Sequence, residues 1–539
     1  MFYDARNNTL VYDTGQPNEV IRCSTGAELL TDTLVAVPAT LMNMQGLARI
    51  GLTTPEPMTH YDWPIKPGWT PLSHQKVTAN HMVLHPKSFV FNEMGTMKTL
   101  SALWAADFIM REENNRGHAC RCLVVAPLSI LSVVWGTAIF NHFIGRRTVV
   151  VLHGSAAKRQ KLLERDVDFY IINPDGIAIG LPAQRGAPLT GLAADLAKRT
   201  DIQIAVVDEA GCYRIASTRR HKAARTLLAQ RPYLWMLTGT PTPNGPFDAY
   251  GLARLVGLTG KDTAKSFKWR VMEPDPRDGS PWPKWIPRAS SSETVHKLLQ
   301  PAIRFSGDLL NLPPCTPEQR EVQFSKEQAE AYKALKKFAV HVVETGEMVK
   351  AVNQAVLRMK LIQVAAGVVY GAVRPDGTKP SISLNPHARI EEVRSIIEDT
   401  ERKVIVFASL TNALIMLYEA LKEFEREIIN GEVPFNRRSD ILRRFGDRED
   451  KLRVLLLDPA TVSHGVNELV SASVAIWYCP TDKSEHYQQG NKRIHRPGQT
   501  GPTKIIQLVS TAIEKAIYSR LEKSEDMQGV ILKLVEDGK

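Results

Sequence analysis

Residues 92–99, NEMGTMKT, place a lysine and a threonine between a strand-like run and a helix-like run. A strict phosphate-binding loop reads GxxxxGK[ST]. Its glycines let backbone amides surround phosphates, while the lysine and the hydroxyl reach the phosphates and Mg²⁺. Here Asn92 and Met97 occupy the two glycine positions, whereas Lys98 and Thr99 are in place. The residues alone therefore leave two interpretations open, a phosphate loop and an ordinary strand-to-helix turn.

Two adjacent carboxylates follow another apolar run, IAVVDEAG. Asp208 and Glu209 would leave the carboxyl end of a strand. There the first can hold Mg²⁺, and the second can orient and activate a water for ATP hydrolysis. An acidic start to a loop is the simpler alternative for so short a segment.

Two arginines near the C-terminus lie three residues apart in QQGNKRIHRPGQT. The planar guanidinium groups of Arg493 and Arg496 are suited to stabilising charge on a transferred phosphoryl group. Taken alone, such a pair is more typical of a solvated or structural basic face.

From about residue 88 the chain repeats one rhythm, a short apolar run followed by a loop and a segment of helical character. This alternation is typical of parallel α/β units. The apolar runs form two sets, which are SFVFN, CLVVAP, RTVVVLHG, DFYIINP, IAVVDEA and YLWMLTG, and then KVIVFAS, REIINGEV, RVLLLDP, VAIWYCP and KIIQLVS. We therefore predict an α/β protein with two parallel sheets, one in each lobe.

The segment between the two sets, residues 258–385, is first rich in Trp and Pro and then helical in pattern. The adjacent prolines of LLNLPPCTPEQ cannot lie inside a helix, so we place the lobe boundary there. The predicted domains are an N-terminal accessory region at 1–65, a first lobe at 66–312 with a helical insertion after 258, and a second lobe at 313–539 with a helical insertion at 316–385.

Composition indicates a globular protein with a basic surplus. The chain has 539 residues, of which 43% are hydrophobic and 23% charged, and its 68 Lys and Arg against 57 Asp and Glu give a net charge of +11. That surplus favours a polyanionic partner such as nucleic acid. No apolar run reaches the length of a membrane span, and the N-terminus lacks the form of a signal peptide. The six scattered cysteines predict reduced thiols and no zinc site.

Taken in order, these segments resemble the motifs of the Swi/Snf branch of the superfamily 2 helicase-like ATPases, from about Pro71 to Leu521. The matching segments are PLSHQ, NEMGTMKT, LVVAPLSILSVVW, DEAG, LTGTPTPN, KVIVFASL, SHGVNELVSASVAIWY and QQGNKRIHRPGQ. The last is the most specific, because Gln489, Arg493, His495, Arg496, Gly498 and Gln499 all fall in register. The compact chain is similar to bacterial or bacteriophage members, so we expect it in the cytoplasm, the host cytoplasm if it is phage-encoded.

The resemblance implies two RecA-like lobes with helical insertions and a small N-terminal extension, with ATP and Mg²⁺ bound in the cleft between the lobes. The implied nucleotide-binding residues are Gln75, Met94, Gly95, Thr96, Met97, Lys98, Thr99 and Gln489. Thr99 and Asp208 would hold Mg²⁺, and the implied catalytic residues are Lys98, Asp208, Glu209, Arg493 and Arg496. The chain departs from the family at Met97, where a glycine is usual, and at Gly211, where the family has the histidine of DEAH.

The resemblance also implies a DNA partner, double-stranded or branched, held mainly at its phosphates. The candidate contacts are Ser129, Asn173, Ser409 and Ser463. Each of these side chains could instead cap a helix.

Three functions remain open at this stage. The first is an ATP-dependent translocase or remodeller of double-stranded DNA, and the second is a strand-separating helicase on DNA or RNA. The third is a nucleic-acid-binding scaffold with a degenerate ATP site, which the residues at 97 and 211 motivate. Residues 1–65 likewise have two open roles, a substrate-recognition module for branched or damaged DNA and a packing extension of the first lobe.

Overall fold

The computed structural model describes residues 1–184, 186–276, 284–307, 312–344, 351–371, 380–461 and 468–523. Two compact units divide the chain between Ser306 and Gly307. Along the described ranges, no helix combines the length and the apolar character needed to cross a membrane.

The first unit begins with a small antiparallel module. Its elements are β1 (Phe2–Asp4), β2 (Thr9–Asp13), α1 (Pro17–Cys23), β3 (Glu28–Leu29), β4 (Leu34–Pro38) and α2 (Leu41–Arg49). The sheet order is β1-β2-β4-β3. Alternate residues of β2 and β4 point to one face, so Leu10, Tyr12, Val35 and Val37 form a small core with the two helices. We call residues 1–49 the N-terminal module.

The larger part of the first unit is a seven-stranded sheet in which all neighbours are parallel, in the order β13-β5-β10-β9-β6-β8-β7. Its strands are β5 (Lys87–Val90), β6 (Arg121–Val125), β7 (Val149–Val151), β8 (Phe169–Ile172), β9 (Ile202–Val207), β10 (Tyr233–Leu237) and β13 (Ala302–Ile303), and a separate hairpin joins β11 (Met272–Pro274) to β12 (Trp285–Pro287). The helices are α3 (Ser73–Leu84), α4 (Lys98–Asn115), α5 (Thr137–His142), α6 (Ala156–Leu163), α7 (Gly191–Lys198), α8 (Arg219–Leu227), α9 (Ala249–Val256), α10 (Ala264–Val271) and α11 (Ser291–Leu298).

Both faces of this sheet are covered, which explains why its strands read as continuous apolar runs. In β6, Leu123 and Val125 enter one core cluster, whereas Cys122 and Val124 enter the other. The cores fix where each strand ends, and the loops at those ends carry the polar residues of interest.

The second unit has a six-stranded parallel sheet in the order β14-β21-β20-β17-β19-β18. Its strands are β14 (Cys315–Glu321), β17 (Lys403–Phe407), β18 (Arg426–Ile429), β19 (Val454–Leu457), β20 (Ala472–Trp477) and β21 (Thr503–Val509), and the pair β15 (Val368–Tyr370) and β16 (Ser381–Ser383) stands apart. The helices are α12 (Lys326–Glu344), α13 (Ala351–Ala365), α14 (His387–Glu398), α15 (Thr411–Ala420), α16 (Phe435–Gly446) and α17 (Ser484–Ile494), and residues 512–523 are also helical.

The prediction of an α/β protein with two parallel sheets is confirmed, and each of the eleven apolar runs contains a strand. The sequence reading did not predict β14, an edge strand of mixed polarity that pairs with β21 along its whole length. Its pattern gave no signal, because none of its residues is buried.

Candidate active site

The loop after β5 contains two residues with positive φ although it lacks the usual glycines. Gly95 has a φ of 87°, and Met97, directly before α4, is left-handed with φ 56° and ψ 44°. A left-handed methionine costs about 1–2 kcal/mol relative to a right-handed one. The residue therefore adopts the conformation that a glycine would take freely. Its side chain is 36% exposed.

Asn92, at the first glycine position, is fully buried and ties the loop to two neighbouring elements. Its Nδ2 donates to Thr78 Oγ1 of α3 at 2.8 Å, and its Oδ1 accepts from the backbone N of Phe305 at 3.0 Å. The side chain thus replaces the flexibility of glycine with a fixed hydrogen-bonded anchor.

Lys98 and Thr96 close the loop onto its own backbone. Lys98 Nζ donates to the carbonyl oxygens of Asn92 at 2.6 Å and Glu93 at 3.3 Å, and Thr96 Oγ1 donates to Glu93 O at 2.7 Å. A Cβ added at Gly239 would lie 3.8 Å from Lys98 Nζ. The LTGTP segment after β10 therefore packs directly on the lysine.

Gln75 lies on α3 beside this loop and is 1% exposed. Its Oε1 accepts from the backbone N of Leu72 at 3.0 Å, while its buried Nε2 finds no hydrogen-bond partner within the described part of the chain. His74, its neighbour, has Nε2 3.2 Å from Thr96 O. A buried amide donor without an acceptor fits a heteroaromatic ring edge such as that of adenine.

The two carboxylates follow β9. Asp208 Oδ2 accepts from the indole Nε1 of Trp135 at 2.9 Å, and its Oδ1 accepts from the backbone N of Glu209 at 3.0 Å. Burial and the neighbouring Glu209 carboxylate raise the pKa of Asp208 to about 6, while the Trp135 hydrogen bond and the positive charge of Lys98 act in the opposite direction. Glu209 is left-handed, with a φ of 50°.

The order of the strands brings these groups to the same edge of the sheet. Strands β5, β10 and β9 are adjacent and parallel, so the loops at their carboxyl ends leave the sheet side by side. Those loops hold Lys98, the LTGTP segment and Asp208. The hydroxyls of Thr240 and Thr242 are buried there and meet no hydrogen-bond partner in the ranges that the structure covers. Sequence reasoning did not single these threonines out, although their position after a buried strand was a usable signal.

Gly211, where the family has histidine, lies in a short 3-10 turn, Ala210–Tyr213. Tyr213 is fully buried within an apolar cluster, and Arg214 lies 3.9 Å from Asp248 in a long ion pair. The side chain that does reach the acidic pair is Trp135, from a segment far away in sequence.

In the second unit, the arginine element consists of α17 and the turn after it. Gln489 is fully buried, its Nε2 donating to Glu485 Oε1 at 3.3 Å, and Arg493 is 6% exposed. Arg496 follows the helix end, and burial lowers its pKa while Glu468 acts in the opposite direction.

Gln499 holds the turn that carries Arg496. Its Oε1 accepts from Arg402 Nη2 at 2.6 Å, and its Nε2 donates to Ala472 O and Ile494 O, both at 2.9 Å. His495 Nε2 lies 2.9 Å from Pro313 O. The residues of the family motif that do not carry charge thus fix the backbone on either side of the arginine.

The candidate DNA contacts differ in exposure. Ser129 lies exposed in a short turn, Leu128–Ile130, and Ser409 lies exposed after β17. Asn173 is buried, and its Oδ1 accepts from Arg159 Nη1 at 2.9 Å. Ser463 lies outside the described residues. DNA binding by these four residues stays a prediction.

Comparison with known families decides the relationship. A family model described as "SNF2-related domain" matches residues 74–365, more than half of the chain. The chain belongs to the SNF2-related family. A second model, "Helicase conserved C-terminal domain", matches residues 388–498. This SNF2-related protein is therefore a DNA-dependent ATPase of superfamily 2, with the nucleotide use that the family implies.

Individual relatives and one solved structure are similar to this chain in different degrees. Protein p41 of Acyrthosiphon pisum secondary endosymbiont phage 1 is 21% identical over 486 residues, covering 87% of this chain and 99% of that protein. Transcription termination factor 2 of Drosophila melanogaster is 27% identical over 157 residues, 29% of this chain and 15% of that protein. A solved structure, "Sulfolobus solfataricus SWI2/SNF2 ATPase core in complex with dsDNA", is 19% identical with a TM-score of 0.38, covering 87% of this chain and 94% of that one.

Proposed function

We propose that this SNF2-related protein hydrolyses ATP to translocate along, or remodel, double-stranded DNA without separating its strands. The observation that carries the proposal is the packing of Trp135 and Glu209 around Asp208 beside the loop of Lys98. A buried carboxylate with a raised pKa and a lysine, each following a strand at the same edge of the sheet, suit a metal-nucleotide complex better than an ordinary turn.

Each candidate nucleotide-binding residue of the first unit then has a role toward ATP. Gln75 Nε2 donates to the adenine ring, and the backbone from Met94 to Thr96 faces the phosphates. Lys98 exchanges its loop carbonyls for phosphate oxygens. The left-handed Met97 starts α4, whose N-terminal amides favour an anion.

Mg²⁺ fits the donor set, because hard cations prefer carboxylate and hydroxyl oxygens and Asp208 is a desolvated carboxylate. Asp208 and the Thr99 hydroxyl would hold the ion, which would neutralise charge on the β- and γ-phosphates. Glu209 orients the attacking water and takes up its proton. Arg493 and Arg496 stabilise the charge that develops on the transferred phosphoryl group, and Gln489 supports them from the same helix.

Trp135 offers a link between DNA and hydrolysis. It lies in the π-helical segment Leu131–Gly136, which directly follows the turn that contains Ser129. π-helical turns are frequent at functional sites. We infer that DNA phosphate bound near Ser129 shifts this segment and, through the indole, the carboxylate of Asp208. That route would couple DNA binding to hydrolysis without the histidine that Gly211 replaces.

ATP hydrolysis measured with and without duplex DNA tests the proposal. We expect stimulation by duplex and a loss of at least about a hundredfold in kcat for Lys98→Ala, since a preorganised charge at the phosphates is removed. Lys161→Ala is the matched control, because Lys161 is exposed on α6. Equal rates for the wild type and Lys98→Ala would favour the scaffold.

A second assay separates translocation from unwinding. We expect ATP-dependent displacement of the third strand from a DNA triplex, with little separation of a plain duplex. Efficient separation of a plain duplex would favour the strand-separating helicase instead.

A further inference from the structure

The amino-terminal edge of the seven-stranded sheet lies opposite the loops of the ATP site, since the strands are parallel. Pro86, Pro232 and Pro301 each stand at the start of a strand on this edge, next to Lys87, Tyr233 and Ala302. These prolines line a cavity of about 930 Å³ whose other wall is the N-terminal module. The cavity is therefore a feature of the first unit alone.

The charged side chains of this cavity have one sign. Arg22, Arg49 and Lys87 line it together with His85, and its lining contains no Asp or Glu. Met42, Leu84 and Leu258 supply apolar surface. Arg22 and Arg49 are exposed, and neither side chain has an ion pair or hydrogen bond to any residue within the described ranges. Lys87 Nζ donates to Ala229 O at 2.9 Å.

Two more cavities extend this one. A cavity of about 390 Å³ shares Lys87 with it, and a third of about 550 Å³ shares Arg225 and Arg254 with the second. Lys222 and Arg225 are exposed on α8. The carboxylate that lines the second cavity, Asp262, is ion-paired with Arg270. We call these three neighbouring cavities, which share lining residues, the basic trough.

We propose that the basic trough binds a second segment of nucleic acid, one arm of a branched DNA, through its phosphates. A small anion would occupy one cavity, whereas a polyanion matches cationic side chains spread over three neighbouring cavities that share lining residues. The cavity floor of Met and Leu side chains is suited to the sugars and bases of an unpaired strand. The inference rests on the proposed function, because that function makes DNA the polyanion.

In this proposal, the N-terminal module contributes to DNA binding. Arg22 lies in the last turn of α1 and Arg49 ends α2, so the module supplies two of the cations of the trough. The strand edge beneath supplies Lys87, and α8 and α9 supply the rest. A DNA arm held here would be distinct from the duplex that drives hydrolysis, and the protein would prefer forks to plain duplex.

The first experiment measures DNA binding by the full chain with fluorescence anisotropy at several salt concentrations. The substrates are a plain duplex and a fork of the same duplex with one unpaired arm. We compare Arg22→Gln/Arg49→Gln and Lys222→Gln/Arg225→Gln with the wild type. Arg6→Gln/Arg165→Gln is the matched control, because both arginines are exposed, lie in the first unit and do not line the trough.

The logarithm of the binding constant for the fork falls with the logarithm of the salt concentration. Each trough variant should make this negative slope shallower by about 1.4, because two phosphate contacts are lost at about 0.7 each for single strands. The preference for fork over duplex should fall with it, and the control variant should keep both values. Unchanged slopes in both trough variants would overturn the proposal.

Cys23 provides a direct readout, because it lines the first cavity and is partly exposed. Forked DNA should slow maleimide modification of Cys23 in the wild type, whereas Cys315 of β14, also partly exposed, serves as the internal reference. Polyglutamate is the competitor of a different class. Protection by polyglutamate and none by DNA would replace DNA with an acidic polypeptide and overturn the proposal.

The two proposals fail differently. If duplex DNA does not stimulate hydrolysis but the fork still protects Cys23, the translocase is wrong and the trough stands. If duplex stimulates hydrolysis and Cys23 reacts at the same rate with and without the fork, the trough is wrong and the translocase stands.

Discussion

The two units of this protein differ in the sign of their key buried charge and in the element that carries it. In the first unit, the key charge is the Asp208 carboxylate at a strand end, held by a side-chain and a backbone hydrogen bond. In the second unit, it is the Arg496 guanidinium in a turn after a helix. Burial raises the pKa of Asp208 and lowers the pKa of Arg496, so burial disfavours the ionised form of both.

Each of these desolvated charges would be stabilised by a ligand of the opposite charge. A desolvated carboxylate gains from a cation, and a desolvated guanidinium gains from a phosphate. A magnesium nucleotide carries both a cation and phosphate oxygens, which is why we propose it as the ligand. The first unit presents its charge in a strand-end loop, and the second presents its charge in a turn after a helix.

Removing the charge of the second unit should have the largest effect. We expect Arg496→Ala to lower kcat by about a thousandfold or more, as loss of an arginine that stabilises a transferred phosphoryl group does. The KM for ATP should change little, since the first unit holds the nucleotide. Arg443→Ala, at a side chain 72% exposed, is the control. A wild-type kcat in the Arg496 variant would show that this arginine does not stabilise the transferred phosphoryl group.

Removing the support of the first charge should have a smaller effect. Trp135→Phe keeps the packing but deletes the indole donor to Asp208, and a hydrogen bond to a charged group contributes about 1.5–3 kcal/mol. We therefore expect kcat to fall about tenfold to a hundredfold. Stimulation by DNA should fall more than the rate without DNA, and an equal fall in both would remove Trp135 from the coupling route.

Protons should compete with Mg²⁺ at Asp208, whose pKa is raised to about 6. As the pH falls through this value, the carboxylate becomes neutral and its attraction for the cation is lost. We expect the apparent Mg²⁺ affinity to weaken by up to about tenfold per pH unit below pH 6. Titration of activity with Mg²⁺ between about pH 5 and 8 checks this. An affinity that does not vary with pH would contradict the assignment.

The smallest effect concerns the strained loop. Met97→Gly removes a side chain from a left-handed residue, so we expect the free energy of unfolding to rise by up to about 1 kcal/mol. Denaturant unfolding measures it. Met94→Gly, a residue of the same loop without positive φ, should lower stability. Equal destabilisation of both variants would show that the left-handed backbone at Met97 is not strained.

Much of the fold follows from local pattern. Apolar runs of β-forming residues bounded by loops predicted the main strands, and the same pattern predicted that Asp208 follows the end of a strand. Spacing also singled out the arginine pair. These features are readable because strand period, burial on both faces and side-chain chemistry are properties of short segments.

The contacts that complete the site were decided by the tertiary structure. Asn92 meets Phe305, and Trp135 meets Asp208, across long stretches of sequence. No local pattern encodes such pairings, because parallel crossovers set them by sheet order. The basic trough has the same origin, since its cations come from α1, α2, β5, α8 and α9. Sequence alone determined which chemical groups were present, and packing decided which of them came together.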